Sequence, residues 1–315
     1  MLSIPVILDC DPGHDDALAM ILAAFDPRID LLAITTVAGN GPIEKVTDNA
    51  LRICALAGIN VPVAKGVATS LKGATESAPN IHGESALDGA ELPMPTFALS
   101  QESAVELIAR LVRTSTIPIS LVATGPLTNI ATFIRDHSEL LPKVKDLTFM
   151  GGSAGRGNRT PYAEFNIWVD PEAADIVVKS GLKMTMCGLD VTHQALVTSE
   201  IFAELAAMDT PVATTIIGLL RFFAHTYDEV FGLADPPLHD PVAIAVVANP
   251  AVATTRLVNV EIELDGSLTR GATVVDLHGV TGRASNLKVA LDLDVPLFWR
   301  DMLAAIARSG TQTEF

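Results

Sequence analysis

Ile4-Pro5-Val6-Ile7-Leu8-Asp9-Cys10-Asp11-Pro12-Gly13-His14-Asp15-Asp16-Ala17 decides how the rest of the chain is read. Its first five residues are apolar without alternation, the pattern of a strand buried on both faces. Pro12 and Gly13 mark a turn, and Ala17–Phe25 reads as an apolar helix. A buried strand running through a short polar turn into a helix is half of a βαβ unit, so a parallel sheet is expected.

The same alternation continues outward. Leu31–Val37 reads as the next strand and Ile43–Leu56 as a helix; Ile119–Ala123, Leu147–Met150 and Met184–Cys187 are further strands. A helix is expected after Pro126, and Glu172–Lys179 reads as another from its acidic start and basic end. Thr198–Asn249 is mostly helical in pattern. Leu257–Leu264 and Ala272–Leu277 then read as an antiparallel pair with Asp265-Gly266 supplying a turn, before a last helix from Pro296 to Arg308. No repeat or linker interrupts the pattern. The expected architecture is α/β: one domain over 1–315, with an open, mostly parallel, Rossmann-like sheet flanked by helices. Its C-terminal third carries a helical and hairpin elaboration.

Composition narrows the function classes. The 315 residues carry a net charge of −16, which argues against nucleic acid, because phosphate backbones are bound by a surplus of Lys and Arg. Thr114–Ile134 is uncharged and long enough to raise a membrane question. Gly125-Pro126 and Thr128-Asn129 break it, so it reads as strand, turn and helix, with no membrane partner. Cys10, Cys54 and Cys187 have no metal spacing and fit a reducing compartment. With no basic leader before Asp9, the expected location is the cytoplasm.

Ligands of open α/β sheets sit at the carboxyl ends of strands, and polar clusters recur there. Asp9, Asp11, Asp15 and Asp16 place four carboxylates within eight residues, which repel one another unless a cation or hydrogen-bond donors intervene. Successive helical residues point about 100° apart, so Asp15 and Asp16 do different work. An oxygen-only set with no nearby Cys or paired His suits calcium or magnesium rather than zinc. A helix cap with solvated first-turn acids accounts for one or two of these aspartates but not for all. Gly39-Asn40-Gly41 follows the second strand, Thr124–Asn129 the third, and Asn158, Glu164 and Asn166 the fourth. Leu238-His239-Asp240-Pro241 opens a helix with an imidazole beside a carboxylate. Singly, each of these fits a turn or cap; together they suit a ligand rich in hydroxyls.

In its ordered motifs the chain resembles the inosine–uridine-preferring nucleoside hydrolase family along nearly its whole length, and most of all that family's bacterial pyrimidine-preferring members. The motifs are Asp9–Ala17, Ala38-Gly39-Asn40, Ile81-His82-Gly83-Glu84-Ser85, Ala123–Asn129, Met150-Gly151-Gly152, Ala163-Glu164-Phe165-Asn166, Asp170-Pro171-Glu172-Ala173 and His239-Asp240-Pro241. The resemblance implies hydrolysis of the N-glycosidic bond of ribonucleosides. It further implies one calcium ion per subunit held by Asp11, Asp16, the Thr124 carbonyl and Asp240, with Asp15 as general base. Asn40, Asn158, Glu164 and Asn166 would hold the ribose and its 5′ group, with Met150 and Phe165 beside them. His239 would lie near the leaving base, with His82 nearby; the resemblance does not name the leaving-group acid, and His239 is the expected one because histidine titrates near neutrality. Relatives of this kind suggest a homotetramer or dimer.

Phe223 and Tyr227 share one face of a helix over Val212–Val230 and border the base on this reading, although core packing explains Phe222 and Phe223 equally well. No basic residue falls among the expected ribose contacts, so nucleoside 5′-phosphates are expected to be poor ligands. Two other functions share the aspartate motif. A haloacid-dehalogenase-type phosphohydrolase would need a Lys for phosphate, and a non-catalytic ribonucleoside-binding protein would not need Asp15.

Overall fold

The computed structural model describes residues 3–74 and 77–309. Its centre is a nine-stranded sheet of β1 (Ile4–Cys10), β2 (Ile29–Thr36), β3 (Val63–Lys65), β4 (Ile119–Ala123), β5 (Val144–Met150), β6 (Met184–Cys187), β7 (Ala253–Ile262), β8 (Thr273–Asp276) and β9 (Leu287–Leu293). The spatial order is β3-β2-β1-β4-β5-β6-β9-β7-β8. β7 alone runs against the others, pairing antiparallel with both β9 and β8.

The unbroken apolar run of β1 follows from burial on both faces. Val6, Leu8 and Cys10 join one core with the helices His14–Phe25, Pro211–Phe231, Asp240–Ala248 and Val295–Ser309. Ile7 joins a second core with the helices Ala104–Thr114, Thr128–Asp136 and Pro171–Val178. Successive residues of a strand point to opposite faces, so both must be apolar when helices cover both sides.

The first helix begins at His14, so His14, Asp15 and Asp16 lie in its first turn, where the helical reading of the two aspartates puts them. Two features differ from the sequence expectation. β3 and β9 were not anticipated, and β9 is the strand that joins the parallel sheet to the antiparallel pair. Asp265-Gly266 sits inside a longer loop, closed where Glu263 N–H reaches the Ala272 carbonyl at 2.9 Å. The uncharged stretch at 114–134 resolves into β4 and a helix as expected. Among the described residues no helix is long and apolar enough to cross a membrane.

Chain connections lead from β1 outward to β2 and β3, and from β4 outward to β5 and β6. The strand order therefore reverses between β1 and β4. A crevice opens outside the carboxyl ends of strands at such a switch point.

Candidate active site

Asp11 follows β1 into that crevice, Asp15 and Asp16 come from the helix beyond it, and Thr124 follows β4. Asp240 arrives from a distant part of the sequence, at the first position of its helix. All five are buried. Asp15, Asp16 and Asp240 each offer an oxygen within 4.8 Å of the others. Asp11 caps nothing, since the first helix has Gly13 at its N-cap. Instead its Oδ2 accepts the Asn40 backbone N–H at 2.6 Å, and among the described residues its buried Oδ1 has no partner. Asp16 accepts the Thr124 hydroxyl at 2.7 Å, the Gly13 N–H at 3.0 Å and the Asn40 side-chain amide at 3.2 Å. The Thr124 carbonyl accepts Asn166 Nδ2 at 2.7 Å and keeps a second lone pair.

No Lys or Arg pairs with these carboxylates among the described residues. Burial pushes Asp11 and Asp240 well above the usual carboxylate range, and the charges of Asp16 on Asp11 and of Asp15 on Asp240 push the same way. Burial likewise raises Asp15 and Asp16, with the Asp16 charge adding to Asp15. Four buried carboxylates without a base are stable as anions only around a cation. Space is reserved for this cluster. A Cβ on Gly39 would lie 2.1 Å from Asp11 Oδ2, and one on Gly125 2.6 Å from Oδ1. The orphaned oxygen, the crowded anions and the all-oxygen donor set fit a hard divalent cation.

Above this floor lies a cavity of about 310 Å³, within the range of small-molecule pockets. Asp15, Asn40, His82, Thr124, Met150, Asn158, Glu164, Phe165, Asn166, Tyr227, His239 and Asp240 all line it, while Asp11 and Asp16 lie beneath. The structure thus brings the expected residues together from opposite ends of the chain. Glu164 is the N-cap of a short helix over Phe165–Val169. Its carboxylate accepts N–H groups of Asn166 at 2.9 Å, Gly152 at 2.9 Å and Ile167 at 3.2 Å. Burial nevertheless outweighs these donors and lifts its carboxyl to about 7. Asn158 Oδ1 fixes the same turn by accepting the Phe165 N–H at 2.9 Å.

The far end of the cavity is aromatic. Phe223, Tyr227 and Phe231 follow one another at four-residue intervals, with ring centroids 4.9 and 4.8 Å apart. Phe223 is both buried core and cavity wall, so the two readings of that residue are both satisfied. The Tyr227 hydroxyl lies 2.7 Å from His239 Nε2, and Thr192 Oγ1 lies 2.8 Å from His239 Nδ1. Burial, then the neighbouring His193, lowers His239 to about 3, so its ring is neutral at pH 7. Sequence reasoning missed Arg159, Asn80, Ile81 and Phe231 in the wall. Arg159 adds a basic residue to the wall beyond the expected ribose contacts; its guanidinium stacks 4.3 Å from the Trp168 ring centroid.

The family model described as inosine-uridine preferring nucleoside hydrolase matches residues 6–300. The chain belongs to this nucleoside hydrolase family. Among its relatives, the pyrimidine-specific ribonucleoside hydrolase RihA of Shewanella sp. (strain MR-4) is 49% identical over 295 residues, covering 93% of each chain. The RihA of Escherichia coli O17:K52:H18 is 46% identical, over 93% of this chain and 95% of its own. A solved nucleoside hydrolase, the purine-preferring ribonucleoside hydrolase from Gardnerella vaginalis, superposes with a TM-score of 0.91 at 33% identity, over 97% of this chain and 99% of that one. A relative named for pyrimidine specificity and a solved structure named for purine preference thus both resemble this chain.

Proposed function

We propose that this nucleoside hydrolase cleaves the N-glycosidic bond of pyrimidine ribonucleosides, giving free base and ribose. The observation that carries the reading is a cavity with a carboxylate floor, an amide-rich wall and an aromatic end, in a chain of this family. The three regions match a reacting water, a ribose and a planar base. Pyrimidine preference is supported by the two RihA relatives and tested by comparing kcat/KM for uridine, cytidine, inosine and adenosine; faster purine release would refute it.

In the reaction a water oxygen bonds to C1′, the C1′–N bond breaks towards the base, and the transition state resembles an oxocarbenium ion. Asp15 lines the cavity and is left outside the proposed cation ligands, so it is the group we assign to take the water's proton. Glu164 and the floor carboxylates favour positive charge on the ribose. Asn40, Asn158 and Asn166 offer amides to its hydroxyls.

Asp11, Asp16, Asp240 and the Thr124 carbonyl are the proposed cation ligands. So many protein oxygens suit calcium better than magnesium, which keeps most of its waters. When bound, the cation supplies Lewis acidity that eases deprotonation of the water. For the leaving base we amend the expectation of His239 alone. A Thr192 hydroxyl donating to Nδ1 leaves the neutral ring's proton on Nε2, directed at the Tyr227 oxygen. The phenol proton then faces the cavity. Tyr227 is the immediate donor on this reading: its proton goes to the leaving base, the His239 Nε2–H donates a hydrogen bond that stabilises the phenolate left behind, and solvent returns the proton to the phenol. Three buried free cysteines support a reducing, cytoplasmic location. Exposed Leu257, Leu268, Val274 and Val280 support a homo-oligomer, a tetramer or dimer.

A further inference from the structure

His14, fully buried in the first turn of its helix, belongs to no part of the mechanism above, yet it sits at the centre of a cluster of four near-parallel rings. Its ring centroid lies 5.5 Å from Phe222, 5.3 Å from Phe223 and 5.2 Å from His82, all within 19° of parallel. Both of its nitrogens are engaged. Nε2 lies 2.7 Å from the Asp88 carbonyl, and Nδ1 lies 3.0 Å from Nδ1 of His82. A carbonyl only accepts, so His14 carries its proton on Nε2. A neutral imidazole has one N–H, which makes His14 Nδ1 an acceptor. The proton between the two rings must then belong to His82 Nδ1. The His14 backbone N–H also approaches His82 Nδ1, at 3.4 Å, but that is a long contact. Two facing lone pairs at 3.0 Å would be repulsive.

We infer that His14 is a positioning residue that fixes the tautomer of His82, so that His82 presents a lone pair on Nε2 to the cavity. Among the described residues that nitrogen has no protein partner, and His82 lines the cavity. The ligand it selects is a base with an N–H on its edge, such as uracil N3–H or the amino group of cytosine. A ring held this way accepts a hydrogen bond and cannot protonate the leaving base. This inference rests on the proposed function for the identity of the ligand, but the tautomer itself does not depend on it.

The test is a long-range ¹H–¹⁵N NMR spectrum of the histidine rings in the full chain at pH 7, with His82→Gln to assign the signals. The expected result is a proton on Nδ1 of His82 and on Nε2 of His14. A His82 protonated on Nε2, or a His14 protonated on both nitrogens, would overturn the inference whatever the enzyme hydrolyses. His14→Phe keeps the stack and removes the acceptor. It should lower kcat/KM for uridine about tenfold, the value of one hydrogen bond, and leave a nitrophenyl riboside, which has no N–H on its ring, near wild type. His14→Asn, which returns an acceptor close to the lost Nδ1, should recover part of the uridine rate. Equal losses on both substrates with no recovery in Asn would instead mark His14 as a packing residue only.

Discussion

Removing the cation should make the stability of this protein fall as pH rises, and the fall can be sized from the buried acids. In the cation-free fold burial raises Asp11, Asp15, Asp16 and Asp240. The folded state then holds protons that the unfolded chain has already released. Such groups contribute stability that is complete below the unfolded value, near pH 4, and is lost as pH rises through the folded value. Glu164, lifted from 4.5 to about 7, and Asp9, lifted from 3.8 to about 7, add to the same slope. A bound cation takes the place of protons on the four floor aspartates, so its affinity should rise about tenfold per pH unit for each proton displaced, about 1.4 kcal/mol. In a domain of this size 1 kcal/mol moves Tm by roughly 2 °C. The gap in Tm between calcium-loaded and chelated protein should therefore widen, from pH 5 to 7, by about 3 °C per pH unit for each proton displaced. Differential scanning fluorimetry at several pH values measures it. A gap that is constant, or that narrows with rising pH, would refute the claim that these carboxylates are protonated without the ion.

Asp15→Asn should keep its cation-dependent gain in Tm but lose about two or more orders of magnitude in kcat, the scale of a missing general base; Asp16→Asn should lose the gain itself, and the reverse outcome would exchange their roles. Uridine should be a far better substrate than 2′-deoxyuridine, because sites built around a hydroxyl leave their own polar groups unpaired when it is missing. Similar kcat/KM values would remove the amide-rich wall from sugar recognition. Tyr227→Phe and His239→Ala should each depress kcat for uridine while sparing a nitrophenyl riboside, whose leaving group departs without a proton. Equal losses on the two substrates, carried by KM, would reduce the pair to base packing.

The part of the molecule legible in the sequence is the part that local chemistry dictates. The apolar run of β1, the Pro-Gly turn and the crowded aspartates mark a strand end with a ligand, and the geometry of the crevice follows from that. β3 is only Val63–Lys65, too short for any period to show. β9 reads Leu-Lys-Val-Ala-Leu-Asp-Leu, in which Leu287, Val289, Leu291 and Leu293 alternate with Lys288, Ala290 and Asp292; its alternation was legible and went unread, whereas its place between β6 and β7 was not legible. The cavity wall from Ser77 to His82 belongs to a long segment without periodicity, where burial comes from packing against the helix Pro211–Phe231 rather than from its own pattern. One tether there is the Thr226 hydroxyl, which reaches the Ile81 carbonyl at 2.8 Å. Arg159 escaped notice because nothing in its neighbours foretells the Trp168 face that holds it over the cavity. The Tyr227–His239 contact joins residues twelve apart through a helix end, and no spacing rule anticipates it.

The most direct test of the central claim is the release of free base from uridine by purified protein. It is followed chromatographically in three samples: calcium-loaded, chelated, and chelated with calcium restored. Uracil and ribose should appear in a one-to-one ratio in the first and third samples, and neither product in the second. Uracil released at the same rate in the chelated sample, or no uracil in any sample, would contradict that claim.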